Sequence, residues 1–297
     1  MIMRGGIILL ICLYWALRSS DLFALDISSA EFQNFFKSLE AQFDAYEWKD
    51  MRLREIPWQS FRTTQENNPL IFVCFGSIDK NCTLILGAVH GDEPPTAYLL
   101  FKLAKYIHDN PSASVDKCII MAPIVNPDGF LAKPPQRFNS NGVDINRNFP
   151  TNDWNKDALL QWEKKAHKNK RYYPGQKAGS EQETKFQVAL IKRFKPQKIV
   201  SLHSPLGFYD FDGPSTSLDS FEEWLNTVSR ETDYPLKKFG IFPGSLGNYA
   251  GNERNIFTLT LELPSSEASK GEEFFVKFKP AIMNFIDLPV KRFSISE

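Results

Sequence analysis

The chain lacks net charge: 35 lysines and arginines balance 35 aspartates and glutamates. No overall field therefore favours nucleic acid or an anionic membrane surface, and a charged ligand must be caught by local groups. Cysteine is scarce, four in 297 residues, with no CxxC pair and no Cys/His cluster of zinc-finger spacing. That excludes a thiolate metal site and a fold stapled by many disulfides. No apolar run reaches the roughly 20 residues that a membrane-spanning helix needs. Internal repeats and low-complexity segments are absent as well.

What remains is an ordinary composition, 42% hydrophobic and 24% charged. It suits one large α/β domain with a sizeable core, expected over residues 25–297. The first 24 residues read differently. Arg4 precedes an apolar stretch from Gly5 to Leu17, and Leu22-Phe23-Ala24 follows a short polar segment, so a secretion signal cut after Ala24 is expected, with an uncleaved N-terminal anchor as the alternative. Cys12 belongs to that segment. Cys74, Cys82 and Cys118 remain, with buried thiols as the default and a Cys74–Cys82 bridge permitted in an oxidising compartment.

Along the chain, Ser28 with Glu31 resembles a capping box ahead of Phe32, Phe35, Phe36, Leu39 and Phe43, which recur at helical spacing. Short β-branched runs predict buried strands at 70–75, 83–89, 117–125, 199–202 and 256–263. Between them, Pro94-Pro95 opens one helical pattern, and Ser180 with Glu183 caps another that ends near Phe194. Strands alternating with helices imply a mixed, largely parallel sheet covered on its faces, with ligands at the carboxyl ends of the strands. The polar stretches 151–179 and 205–220 read as surface excursions.

Chemistry concentrates at those strand ends. His90 and Glu93 follow the run ending at Val89, where the pair is either a metal grip or a polar turn with a glutamate favoured by a helix dipole. His203 ends another predicted strand, so a parallel sheet can bring it beside the first pair. Two imidazoles and a carboxylate form a hydrolytic zinc set that leaves a coordination position open. His108, after a helix, and His167, among lysines, have no such setting. Glu262 is a lone carboxylate in the apolar strand TLTLELP. It is either half of a buried salt bridge or a general base beside the metal. The loop Arg137 to Pro150 holds two arginines and several amides, either an exposed turn or a clamp for a carboxylate.

Taken in order, HGDE at 90–93, NPDG at 126–129, GVDINRNFP at 142–150, SLH at 201–203 and LELP at 261–264 resemble the zinc carboxypeptidase family. Within it the motifs are similar to the short bacterial branch of murein peptide amidases. The resemblance implies a three-layer α/β/α sandwich and one zinc ion held by His90, Glu93 and His203. It also implies that Asp144 orients a ligating histidine, that Asn146 and Arg147 bind a terminal carboxylate, and that Arg137 faces the developing oxyanion. Glu262 would take a proton from water and return it to the leaving amine. Larger members close a loop tyrosine over the substrate, and Tyr249 is the nearest candidate here.

For substrate, the resemblance implies hydrolysis of the γ-D-glutamyl–meso-diaminopimelate bond in peptidoglycan tripeptide. With a secretion signal, that becomes a periplasmic or secreted murein D,L-carboxypeptidase of wall remodelling or cell shape. General carboxypeptidase activity on ordinary peptides and non-catalytic binding of wall peptides are the alternatives. Side-chain specificity is expected to reside in the loops 205–220 and 240–252.

Overall fold

Helix and strand alternate along the chain in the computed structural model, which describes residues 29–51, 53–214 and 219–290. The expected signal, residues 1–24, lies outside the described residues, as does Ser28. In chain order the elements are α1 (Ala30–Ala45), β1 (Gln59–Thr63), β2 (Pro69–Gly76), β3 (Cys82–Leu86), α2 (Pro94–Asp109), β4 (Cys118–Ala122) and α3 (Pro127–Leu131). There follow α4 (Leu159–Lys164), α5 (Gln182–Phe194), β5 (Lys198–His203), β6 (Phe208–Gly213), α6 (Asp219–Thr232), β7 (Leu236–Lys237), β8 (Phe257–Glu262) and α7 (Gly271–Asp287).

The strands form one mixed sheet in the order β1-β2-β4-β3-β5-β8-β6-β7. Its centre, β4-β3-β5-β8, is parallel, while β2 and β6 flank that centre antiparallel. Successive strand residues point to opposite faces, and the core divides accordingly. Ile85, Ile119, Met121, Val200 and Leu202 pack against α1, α2 and α7. Leu84, Leu86, Ile120, Ala122 and Ile199 pack against α5 and Tyr249-Ala250 on the other side. Helices on both faces of one sheet make the three-layer sandwich, and each fully buried Phe adds about 2–3 kcal/mol of apolar transfer energy.

Local chemistry sets the element ends. Ser29, rather than Ser28, caps α1 by accepting from the Phe32 amide. The second expected cap also shifts, since α5 begins at Gln182 after Glu181, and Glu183 is buried in its first turn. Lys198 opens β5 fully buried, its Nζ donating to the Phe285, Ile286 and Leu288 carbonyls at 2.6 to 2.7 Å. An ammonium group thus satisfies the orphaned carbonyls at the end of α7, where the helix dipole favours positive charge.

Three expectations are corrected. Cys82 and Cys118, expected as buried thiols, form a disulfide, and the permitted Cys74–Cys82 bridge is not made, because β3 and β4 lie side by side in parallel with Cys82 and Cys118 directly opposed at 4.4 Å between Cα atoms. β3 and β4 stop at Leu86 and Ala122, short of the predicted ends, since Gly87 and Ala88 turn the chain out of the sheet, Ala88 at φ +39°. Part of the expected surface excursion 205–220 is instead strand β6, largely buried and paired with β8.

Candidate active site

The carboxyl ends of β3, β5 and β8 meet at one place. Leu86 of β3 is paired with Ser201 of β5, and His203 at the end of β5 lies directly opposite Glu262 at the end of β8. Beyond β3 the chain runs through His90 and Gly91 to Glu93, the residue before α2. A Cβ on Gly91 would fall 2.1 Å from the Gly129 carbonyl carbon, so only glycine lets the HGDE loop lie against the NPDG turn. The turn is held in return: the Val125 and Asn126 amides donate to Gly87 and Ala88, and the Asn126 side chain donates to the Arg137 carbonyl at 3.1 Å.

His90, Glu93 and His203 are all buried, and one ligand atom from each lies within 4.8 Å of the others. The two Nδ1 atoms stand 3.1 Å apart. The Glu93 carboxylate reaches both rings, at 2.8 Å to His90 and 3.1 Å to His203. Each ring's other nitrogen already has an acceptor: Asp144 Oδ1 lies 3.2 Å from His90 Nε2, and Ser201 Oγ lies 3.0 Å from His203 Nε2. Those partners favour hydrogen on Nε2 and turn two Nδ1 lone pairs and a carboxylate on a common point, the donor set of a hydrolytic zinc site. Glu93 occupies the cap position of α2 yet makes no cap hydrogen bond with its side chain. That favours the metal grip over the polar turn.

Burial would raise the Glu93 carboxyl, but the two imidazoles outweigh it and hold the group well below the usual carboxylate range. Asp144 behaves alike. Burial opposes its ionisation, while Arg137 first and His90 second keep it ionised. Arg137 forms a bidentate pair with it, Nε and Nη2 donating to Oδ2 at 3.0 and 2.9 Å, and comes within 3.6 Å of Glu93. The guanidinium therefore stands at the rim of the three ligands, with the Tyr172 ring 5.2 Å from its centre.

The next residues of the same loop, Asn146 and Arg147, are those expected to form the clamp. Asn146 accepts from the Leu246 amide at 2.8 Å through Oδ1, and Arg147 lies over the Phe242 ring at 4.4 Å while donating to the Asn146 carbonyl. No carboxylate among the described residues pairs with Arg147 within ion-pair distance. A cavity of about 460 Å³ joins these groups: its walls include His90, Glu93, His203, Arg137, Asn146, Arg147 and Glu262. Burial raises the Glu262 carboxyl, an effect that His203 only partly opposes. A carboxyl so raised holds a proton more readily than a free one, as a group that accepts and then returns a proton requires.

Tyr249 does not reach this cavity. It is buried in the core, its ring 5.4 Å from Phe149 and 3.5 Å from the Arg254 guanidinium carbon, because the π-helical turn Gly247–Asn252 packs against the sheet. Tyr172, from the excursion 151–179, lies at the rim instead. Sequence reasoning also missed Asp210 and Asp212 of β6, which line the far end. Their signal was available: two aspartates two positions apart in Phe208-Tyr209-Asp210-Phe211-Asp212, hence on one face of any strand. His108 and His167 lie away from the site.

Comparison with known proteins agrees with this geometry. Residues 58–279 match the zinc carboxypeptidase family. The chain is 30% identical over 212 residues to murein peptide amidase A of Escherichia coli K12, covering 70% of this chain and 81% of that one. It is 30% identical over 192 residues to murein peptide amidase A of Vibrio campbellii, covering 62% and 70%. The solved structure of murein-tripeptide amidase from Escherichia coli O157 superposes with a TM-score of 0.58 at 26% identity, over 79% of this chain and 93% of that one. Bovine thrombin-activatable fibrinolysis inhibitor, at 17% identity and TM-score 0.63 over 86% and 95% of the two chains, shares the fold. The family is zinc-dependent, and the residues that could hold the ion are the three that converge here. The chain therefore belongs to the zinc carboxypeptidase family and is a peptide hydrolase.

Proposed function

We propose that the protein removes the C-terminal residue from peptidoglycan stem peptides by cleaving the γ-D-glutamyl–meso-diaminopimelate bond of the tripeptide. The observation that carries this reading is one cavity holding both the His90–Glu93–His203 set and a guanidinium, Arg147, that has no carboxylate of its own. A hydrolytic centre next to an unpaired guanidinium fits a substrate whose scissile bond lies beside a terminal carboxylate. The likeness to murein peptide amidase A over 81% of that protein narrows the peptide class.

In this reading Arg147 and Asn146 take the terminal carboxylate and fix the register of the substrate. A zinc ion held by His90, Glu93 and His203 would supply Lewis-acid polarisation of the scissile carbonyl and a lowered pKa for water. Arg137, anchored by Asp144 in a fixed orientation, offers charge to the developing oxyanion without reorganising. Glu262 accepts the proton of the attacking water and returns it to the leaving amine, a role suited to a carboxyl already raised by burial. Asp144 keeps His90 in the tautomer that leaves Nδ1 open.

Residues 1–24 act as a secretion signal for a catalytic domain over 25–297, which then works in the periplasm or outside the cell on wall structure. The Cys82–Cys118 bridge supports an oxidising compartment. The test is mass spectrometry of muropeptides before and after incubation with zinc-loaded protein. Tripeptide stems should shorten to dipeptide with release of free diaminopimelate. Intact tripeptide alongside trimmed ordinary peptides would overturn the assignment in favour of a general carboxypeptidase.

A further inference from the structure

Outside the cavity, the loop from Arg137 to Pro150 rests on a pair of buried carboxyls that the hydrolysis leaves unused. Glu181 precedes α5 and Glu183 stands in its first turn. Both are buried, as is Asn139 of the loop, and none of the three lines the cavity. The Asn139 amide nitrogen donates to Glu181 Oε2 at 2.8 Å and to Glu183 Oε2 at 3.0 Å. Its Oδ1 accepts from the Asn141 and Val143 amides, both at 3.1 Å, and its backbone pairs with Gly142 and Val143. Residues 139–143 are thus closed on one side chain. Arg137 enters this closed loop and Asp144 leaves it, and the two meet in the bidentate pair whose aspartate also holds His90. The grip of α5 on Asn139 therefore supports groups that line the site.

Two acceptors there are left over. Glu183 Oε1 and Gln187 Oε1 are both buried without a hydrogen-bond donor. Four residues apart, they share one face of α5, and Gln187 folds back along it, its Nε2 donating to the Glu183 carbonyl at 3.3 Å. Two bare acceptors in a desolvated place are costly, whereas one proton, carried by Glu183 and donated to Gln187, satisfies both. Turning the Gln187 amide over would not serve, since its oxygen would then meet the Glu183 carbonyl. Glu181, by contrast, has donors on both oxygens, Ser180 on Oε1 and Asn139 with Asn141 on Oε2. Burial raises the Glu183 carboxyl to about 7, and Asp128 of α3 and Glu181 act in the same direction. The nearby cations are engaged elsewhere: Arg62 of β1 donates Nη1 to Gln182 at 2.6 Å, and Lys185 turns back to the Ser180 carbonyl at 2.7 Å. No lysine or arginine among the described residues lies within ion-pair distance of Glu183.

We infer that Glu183 is a positioning residue that works as a neutral acid, its proton bonded to Gln187 and its Oε2 holding Asn139, and that loss of this proton loosens the loop bearing Arg137 and Asp144. Two anions on a single amide group, with no cation in contact, would drive Asn139 away from one of them. The closed loop then loses an anchor, and the guanidinium that it presents to the site loses its fixed orientation. The inference concerns the support of the hydrolytic centre and stands whichever peptide is cleaved.

The test compares zinc-loaded parent protein with Glu183→Gln, which offers a donor to Gln187 and an acceptor to Asn139 at every pH and so reproduces the neutral acid. On L-Ala-γ-D-Glu-diaminopimelate, the ratio of kcat at pH 9 to kcat at pH 6 should be about 10-fold higher in Glu183→Gln than in the parent, with KM changing less. Glu183→Leu, neutral but unable to hold Asn139, should lose kcat about 10-fold at both pH values, a loss that glutamine restores. Two further measurements need no turnover. In carbon-13 NMR of glutamate-labelled protein, the carboxyl signal that Glu183→Gln removes should titrate near pH 7. A carboxyl raised on folding stabilises the fold in acid, and that contribution is lost as pH rises through about 7. Denaturant melts should therefore show the folding constant of Glu183→Gln gaining on that of the parent by about 100-fold between pH 5 and pH 9. A Glu183 signal in the ordinary glutamate range, equal pH ratios in parent and Glu183→Gln, or a Glu183→Leu variant as active as Glu183→Gln overturns the inference. Failure of the parent to cleave the tripeptide would instead overturn the murein reading, and the kcat ratios would then be read on the ordinary peptides that it trims.

Discussion

At the ligand end of the cavity, Glu93 and Asp144 are buried among His90, His203 and Arg137, and both carboxyls lie below their usual range. At the far end, Asp210 and Asp212 are buried to a similar degree without a cation in contact, and both carboxyls are raised. All four are carboxyls for which burial opposes ionisation, and what separates the two pairs is their neighbours. Burial therefore does not decide whether a carboxylate is ionised; the presence of a counter-charge does. The first pair finds its counter-charges within the chain, whereas the second makes no ion pair among the described residues.

Glu262 stands between these ends, raised by burial and restrained by His203, and its replacement carries the largest expected effect. Glu262→Gln should lower kcat about 1,000-fold, the scale of general base catalysis, with zinc content by elemental analysis unchanged. Loss of zinc along with activity would move Glu262 into the ligand group and break the distinction.

The next effect concerns stability. A carboxyl whose folded pKa is raised from 3.8 to about 7 stabilises the fold fully at acid pH, and that contribution is lost as pH rises through about 7. Asp212→Asn should thus be more stable than the ligand-free parent at pH 8 by about 2–4 kcal/mol, with little difference near pH 4. Denaturant melts at the two pH values measure it. An equal difference at both would mean that charge is not what distinguishes the far end.

Smaller changes test the complete end. Asp144→Asn should weaken zinc binding about 10- to 100-fold, as loss of a charged partner to a ligating imidazole does. Ser201→Ala removes only a neutral partner of His203 and should cost less, about 2- to 5-fold by the same measure. Competition with a chromogenic chelator ranks the two, and the reverse order would show that charge at Asp144 does not govern His90.

The places of the candidate ligands, of Glu262 and of the arginine loop in one cavity were legible in sequence because each lies at a strand end or in a short motif, where local pattern and position coincide. Asp210 and Asp212 were not, because the Gly, Pro and Ser around them mask one short strand, and its cavity-facing side depends on pairing with β8, some 50 residues away. The disulfide escapes the sequence for the same reason, buried thiols being the default there and a Cys74–Cys82 bridge only a permitted alternative. Cys82 and Cys74 suggest a hairpin by proximity, whereas the parallel neighbour that brings Cys118 opposite Cys82 is 36 residues further on. Tyr249 was chosen for its distance from Glu262, which says nothing about which way a π-helical turn directs its side chains.

Because His203 and Glu262 are opposed residue to residue across β5 and β8, the spacing of the proposed base from a proposed metal ligand is a property of how two strands are aligned. Inserting one amino acid in β8 would slide that alignment by about 3.3 Å and invert which layer each later side chain enters. Engineers who wish to transplant this chemistry must carry the ladder across intact, together with the loop bearing Arg137 and Arg147, whose Asp144 holds His90 and whose Asn146 is tied to Leu246.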